Sequence, residues 1–472
     1  MVGLRYTLSG KSFKPQVIRF RNFEDVDYEE FSRRLLCLGL NDIKFVNDPD
    51  VCVAMLTDII VKVTDELAPL KTIQKKDRYA GWMTKTIKKK INKRNNLHDR
   101  AKKTGSEVYC RIFRRYRNRL KSEMRSLKSK YMKKFVLADS SATKWSRIKL
   151  LADIEKGSKK PMSIKTDNAE VSDPKLLCEI MNNYFVEKIR KLKERTNLDL
   201  DRSMEMMDLY LANHGIKGVP EFNFTHVRWF ETMEVIKRLN LTKSMGIDGV
   251  SAHVIKRCVN VLVNPLTHIV NTCIERSYYP VTWRQGLVVP IEKGGDLSLP
   301  NNWRPVCKQS CLSKVLEKIL CNQLSYYLTS HLYLPPSQHA YKPKRSTTTA
   351  LIDLDTFVTR ARNEGKCSML VNTDQSGAFN VIPHQILIQK LRKMNVGELS
   401  LKFLSTYLGG RTNKTCVGGF ISSQVEVPDG MPEGSILGPL LYSVGQVDVG
   451  VCAERAHQRV GELHHVHDQQ NV

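Results

Sequence analysis

The sequence predicts an α+β fold preceded by a basic, mostly α-helical region, and three observations carry that reading. From Phe222 onward, short apolar runs alternate with helical segments and frequent Gly and Pro turns, which is how strands and helices of one domain are written. Before that point the apolar residues recur mainly at steps of three and four, the helical period. Finally, the formal charge of +27 is uneven: between Lys71 and Phe135 there are 24 Lys or Arg and only four acids, so 20 of the 27 lie there. A chain this basic is expected to meet a polyanion.

A length of 472 residues leaves room for about three domains at roughly 150 residues each. The composition, 41% hydrophobic and 26% charged, excludes wholesale disorder. Twelve scattered cysteines without paired CxxC sets do not form a disulfide framework, so a reducing compartment is expected. Cys307 and Cys311, four apart, would share a helix face, where core burial explains them better than zinc, and the late His464-His465-Val466-His467 is an equally weak metal signal. The N-terminus lacks a signal-peptide core and no apolar run reaches the roughly 18 residues of a span, so an intracellular protein of nucleus or cytoplasm, with no membrane partner, is expected.

Residues 1–70 read as an extended lead-in followed by helical material, in which Val53, Leu56, Ile59, Ile60 and Val63 share one face until Pro69 breaks the pattern. Two basic helices should follow, divided at "KKTGSE", where Gly105 stops the first and Ser106 can cap the second. In the second, Val108, Ile112, Tyr116, Leu120, Met124, Leu127, Tyr131 and Phe135 make an apolar stripe that should be core. The basic faces, with Lys88, Lys89, Lys90, Arg114, Arg115 and Arg117, are then free for a nucleic-acid backbone. "KGSKKPMSIKTDNAEVSDP" reads as a loop or hairpin, "DPKLLCEIMNNYFVEKIRKLKE" as a helix, and 191–220 as a polar connector holding a domain boundary.

Four later segments carry the chemistry. In "KSMGIDGVSAHVIK", Gly246 and Gly249 turn the chain around Asp248 before a helix starting near Ser251. In "VVPIEKGGDLSLPNNWRPVCKQSCLSKVLEKIL", a strand ending at Pro290 leads through Lys293 and two glycines to Arg304, and a Lys and an Arg on such a hairpin can clamp a triphosphate. In "TDQSGAFN", Asp374 follows the apolar run Met369-Leu370-Val371, and a carboxylate ending a strand suits Mg²⁺, which takes few protein oxygens. In "DGMPEGSILGPLLY", Gly430, Gly434 and Gly438 let backbone approach a ligand before an apolar helix.

The order of these blocks, together with "SQHAYKPKRSTTTAL", "DQSGAFNVIPHQILIQKL" and "FLSTYLGGRT", resembles the reverse transcriptases of non-LTR (LINE-type, jockey-like) retrotransposons. Upstream, "RNFEDVDYEEF", "LAPLKTI" and "KWSRIKLL" are similar to the linker those elements carry between endonuclease and polymerase. The resemblance implies a right-hand polymerase with fingers and an incomplete palm, using an RNA template, a DNA primer and deoxynucleoside triphosphates. Asp374 would be the first palm carboxylate holding Mg²⁺ with the Gln375 carbonyl, and Phe379 a steric gate against the ribose 2′-hydroxyl. Lys293 and Arg304 would hold the triphosphate, and the loop from Gly430 to Ser435, with Glu433 and Gly434, would line the nucleotide and template pocket.

The implied organisation is a post-endonuclease linker (1–70), a basic helical hairpin (71–140), a connector (141–220), fingers and partial palm (221–442) and an unmatched tail (443–472). The Tyr/Phe-Ala-Asp-Asp hairpin of the family is missing after Tyr442, as is the thumb, so this copy is expected to be catalytically incomplete; no endonuclease activity is expected either. Asp448 is a poor substitute for a carboxylate pair on a tight turn. Glu433 stands where the family usually has Gln, and Asn380 where it usually has Asp.

Overall fold

The structure, a computed structural model, describes residues 16–75, 84–136, 162–166, 169–194, 199–241, 245–335, 337–370, 377, 379–427 and 429–448. It is a mixture of helices and strands, as an α+β reading requires. In chain order these are β1 (Gln16–Phe20), α1 (Tyr28–Cys37), α2 (Pro49–Leu67), β2 (Lys71–Lys75), α3 (Lys85–Thr104) and α4 (Glu107–Val136). They continue with β3 (Ile164–Lys165), β4 (Glu170–Val171), α5 (Pro174–Glu194), α6 (Leu200–Asn213), α7 (Trp229–Arg238), α8 (Ala252–Arg257) and α9 (Val259–Glu275). Then come β5 (Gln285–Glu292), β6 (Trp303–Lys308), α10 (Ser313–Ser330), α11 (Thr347–Asn363), α12 (His384–Lys393) and α13 (Glu398–Leu408). The last are β7 (Arg411–Val417), β8 (Phe420–Ile421), β9 (Val425–Val427) and α14 (Gly438–Gly445).

The described residues divide into two compact units, one of 16–20 with 70–136, the other of 21–69 with 162–448. In the first, β1 and β2 pair antiparallel from Gln16↔Lys75 to Phe20↔Lys71. Helix α3 starts on Thr84, whose hydroxyl accepts from Ile87 N at 3.3 Å, and ends on Gly105, left-handed at φ +61°. The two basic helices therefore form and divide where their periodicity puts them. The stripe on α4 is only partly core: Leu120 is buried, but Val108 is 63% and Ile112 44% exposed. The seam runs through Phe113 instead, whose ring lies 4.9 Å from that of His98, and through Tyr116, which carries Lys93 over its face. A three-residue step replaces a four-residue one, because a large aromatic there fills the gap between helices better than Ile112.

The second unit is built on one apolar core. Val53, Leu56, Ile60 and Val63 of α2 join Leu262, Leu266, Ile269 and Val270 of α9, all essentially inaccessible. Each such side chain contributes about 1.5–3 kcal/mol by leaving water. The acid Asp48 caps α2, accepting from Asp50 N at 2.9 Å, with Pro49 in the first turn. The five-stranded sheet has the order β6-β5-β7-β8 with β9 also on β7; β5 runs parallel to β7 and the other pairs are antiparallel. Strand β5 continues to Glu292, two residues beyond the Pro290 expected to end it. Pro290 is tolerated because β7 leaves β5 after Val288, and its partner Pro305 is on the edge strand β6.

Two expectations fail here. Residues 191–220 are not simply a polar connector: α6 buries Met206, Met207 and Tyr210 in the main core. Cys307 and Cys311 do not share a helix face, since Cys307 is in β6 and Cys311 lies in the turn before α10. The hairpin β3–β4, by contrast, forms inside the stretch read as a loop or hairpin. Residues 464–467 lie outside the described residues.

Candidate nucleotide site

The β5–β6 turn presents the two cations. Gly294 and Gly295, at φ +106° and +80°, bend the chain after Lys293, whose backbone N donates to Asn302 O at 2.8 Å. The turn is stiffened by Asn302 Nδ2 to Asp296 O at 2.8 Å and Trp303 Nε1 to Leu297 O at 2.9 Å. Lys293 and Arg304 are both exposed, and no described carboxylate lies within ion-pair distance of either.

Opposite them, two loops are zipped together. Met431 N donates to Phe379 O at 2.6 Å, Gly430 N to Ile382 O at 3.2 Å, and the His384 ring Nε2 lies 2.7 Å from Gly430 O. Asn380 Nδ2 donates to Glu433 Oε1 at 2.9 Å. Burial pushes the Glu433 carboxyl up, against the pull of Asn380 and the positive charges of Lys293 and Arg304, so these four residues share one electrostatic neighbourhood. Phe379 stacks on Tyr442 with centroids 4.7 Å apart and planes at 17°, and Tyr341 meets both rings edge-on.

The loop glycines sit tight against neighbouring backbone. Gly430 has φ +78°, and a Cβ there would stand 2.6 Å from the Asn380 backbone; Gly434 has φ +86°, with a Cβ 2.8 Å from Cys307 O. Their lack of a side chain admits the protein's own backbone. The earlier turn behaves as read: Gly249 is at φ +70°, Asp248 accepts from Ser310 Oγ at 2.5 Å, and Ser251 caps α8.

Asp374 and Gln375 lie outside the described residues. Of the strand expected before them, Met369 and Leu370 are described, and they are exposed and not in a strand. Among the described residues no group of three or more His, Cys, Asp or Glu is gathered as for a metal. Asp448 is committed elsewhere: buried, it pairs with the equally buried Lys390 at 2.6 Å.

In the basic helices, Lys89, Arg114, Arg115 and Arg117 are exposed, Lys88 is half-buried, and Lys90 is tied to Glu123 at 2.5 Å. Arg117 also lies over the Phe113 ring. Lys90 is thus engaged by the partner helix, unlike the exposed cations around it.

Sequence reasoning missed Glu317. Fully buried on α10, it accepts from Ile436 N at 2.7 Å and Leu437 N at 3.4 Å, just before α14, and from Tyr279 OH at 3.2 Å. The Gln309 amide bridges it to Arg411, donating to Glu317 Oε1 and accepting from Arg411 Nη2, both at 3.0 Å. A single acid on the apolar face of Leu316, Leu320 and Leu324 was the available signal.

Residues 291–448 match the family described as "Reverse transcriptase (RNA-dependent DNA polymerase)". The segment carries a reverse transcriptase domain. Its match runs six residues past Tyr442, beyond the point where the motif resemblance ends. The chain is 30% identical over 224 residues to the probable RNA-directed DNA polymerase from transposon BS of Drosophila melanogaster, covering 47% of this chain and 25% of that one. It is 26% identical over 220 residues to the RNA-directed DNA polymerase from mobile element jockey of the same species, 46% and 24% of the two chains. With the Pol polyprotein from type-1 retrotransposable element R1 of Bradysia coprophila it shares 23% over 463 residues, 94% of this chain and 43% of that one. The resemblance to non-LTR retrotransposon reverse transcriptases is borne out, and this chain spans less than half the length of each of these relatives.

Proposed function

We propose that the chain serves RNA-directed DNA synthesis of the non-LTR retrotransposon kind, with residues 221–442 as fingers and partial palm and the preceding segments, 1–70, 71–140 and 141–220, as linker, basic hairpin and connector. What supports the reading is one observation: inside a segment matching reverse transcriptases, Lys293 and Arg304, with no carboxylate partner among the described residues, share an electrostatic neighbourhood with Glu433 in the joined loops of Phe379, Glu433 and Gly434. The two cations hold the triphosphate of a deoxynucleotide, and the Phe379 ring, backed by Tyr442, closes on the sugar. Glu433, bonded to Asn380, fixes the loop against the nucleotide. Asp374, with the Gln375 carbonyl, would hold Mg²⁺, which when bound neutralises charge on the reacting phosphate. An RNA template and DNA primer are the partners, and the compartment is intracellular.

Photocrosslinking of radiolabelled dTTP tests the pocket. Labelling should fall in Lys293→Ala and Arg304→Ala, and Phe379→Ala should let UTP compete; labelling indifferent to all three would overturn the assignment. On a poly(rA)/oligo(dT) template the chain should extend no primer, as expected of a copy without the second carboxylate motif. Mg²⁺-dependent incorporation that disappears in Asp374→Ala would refute that incompleteness.

A second reading rests on the first unit, where Arg114 and Arg115 stand exposed and without an acidic partner among the described residues: a non-catalytic nucleic-acid-binding remnant. RNA affinity that survives Asp374→Ala and falls steeply with salt favours it.

A further inference from the structure

Helix α5 lies upstream of the segment matched to reverse transcriptases, yet it forms one wall of the cavity beside Glu433. Phe185 and Ile189 face Met431, Glu433 and Arg411 across it. The helix is anchored there from both ends of its packed face: Asn182 donates to Ser423 O at 3.0 Å, and Lys193 pairs with Asp429. Between these anchors Lys188 reaches the β5–β6 turn, its Nζ donating to Asn301 Oδ1 at 2.7 Å. Lys293 Nζ donates to the backbone O of the same Asn301 at 3.5 Å. One asparagine thus gathers two ammonium groups from different elements.

We infer that Lys188 is a third cation of the triphosphate site, delivered by α5 to stand beside Lys293 and Arg304. The inference rests on the nucleotide pocket proposed above and adds a residue from outside the 291–448 segment that matches the reverse transcriptase family. Like charges are drawn together here without a described carboxylate within ion-pair distance of any of the three. Asp296, the acid of the turn, is turned onto Ser298 N and Oγ at 3.0 and 2.7 Å, and Glu187 beside Lys188 pairs with Arg190. Burial and the neighbouring Lys293 both lower the proton affinity of Lys188, the expected cost of a cation pair lacking its anion. A triphosphate carries more negative charge than Lys293 and Arg304 can neutralise, so a third ammonium has a place in such a site.

Lysine acetylation footprinting of the full chain with inorganic tripolyphosphate tests this residue by residue, free of the background from the basic helices. Lys188 and Lys293 should be protected together, at one half-maximal concentration. Lys188→Gln, which keeps a donor for Asn301 and removes the charge, should raise the concentration protecting Lys293 roughly five- to tenfold. An unchanged midpoint for Lys293 in Lys188→Gln, with circular dichroism like that of the unaltered chain, overturns the inference and leaves the pocket standing. Protection of neither lysine overturns the pocket itself and the inference with it. A single-stranded oligonucleotide without a triphosphate that protects Lys188 at lower concentration than tripolyphosphate would assign the cation to a strand phosphate and likewise overturn it.

Discussion

Glu317 offers the sharpest test of how the loop leading into α14 is held. Its carboxylate receives the Ile436 and Leu437 amides, the Tyr279 hydroxyl and the Gln309 amide, all away from water. Glu317→Ala strips these four donors of their acceptor and leaves Arg411 with only the bridging Gln309 between it and an emptied site. A buried donor left unmatched costs about 1–3 kcal/mol, and such losses overlap within one network, so a total of about 3–5 kcal/mol is expected. Urea unfolding followed by the fluorescence of buried Trp283 and Trp303 measures it, and hydrogen exchange at 436–437 localises it. A loss below about 1 kcal/mol would refute the network, because even one orphaned buried amide should exceed it.

The pH dependence supplies an independent sign. Burial raises the Glu317 carboxyl above its ordinary value of 4.5, although Arg411 and the two amides oppose the shift. The folded state therefore holds its proton longer than the unfolded chain. The associated stability is complete below 4.5 and is lost as pH rises through the folded value. Glu317→Gln cannot titrate, so its deficit relative to the natural residue should shrink between acid and neutral pH. A deficit that widens as pH rises would mean the carboxylate, not the acid, is the form the fold prefers.

Three further outcomes follow from the geometry. Lys390→Met leaves Asp448 charged and buried and should cost about 3–5 kcal/mol in urea unfolding, much of it recovered in Lys390→Met with Asp448→Leu. Gly434→Ala must carry a Cβ at φ +86° against Cys307 O, and a loss of about 1–3 kcal/mol is expected in the same assay. Replacing Arg114, Arg115 and Arg117 together by Ala should flatten the dependence of log RNA affinity on log salt by about two to three, read by fluorescence anisotropy.

What could be read in advance depended on whether a signal was local. Helix α2 was legible because its apolar stripe and Pro69 stop lie within one segment, and the β5–β6 hairpin because its glycines and flanking β-branched residues do. Helix α6 was not, since Asp201, Arg202, Glu205 and Asp208 interrupt a stripe of only Met206, Met207 and Tyr210. The α4 seam was misplaced by one residue because two apolar side chains, Ile112 and Phe113, compete for it, and only the partner helix decides. Lys188 and Glu317 were invisible for a stronger reason. Their partners lie 113 and 119 positions away, at Asn301 and Ile436, and no pattern within a helix encodes such a meeting.

The same distance changes the meaning of the two departures from the family pattern. Taken singly, Glu433 in place of Gln sets a negative charge near a triphosphate, and Asn380 in place of Asp removes a carboxylate. The structure joins them by one hydrogen bond, with the amide of Asn380 donating to the acid of Glu433. This contact spans 53 positions and places the Glu433 carboxyl against an amide donor rather than facing outward alone. The repulsion is also smaller than the residue type suggests. Lys293 and Arg304 act on Glu433, and burial raises its proton affinity, so the carboxylate that a nucleotide would meet is already drawn into the protein's own charges. Asn380, Lys293 and Arg304 together engage Glu433, so its charge is met inside the protein before any ligand arrives.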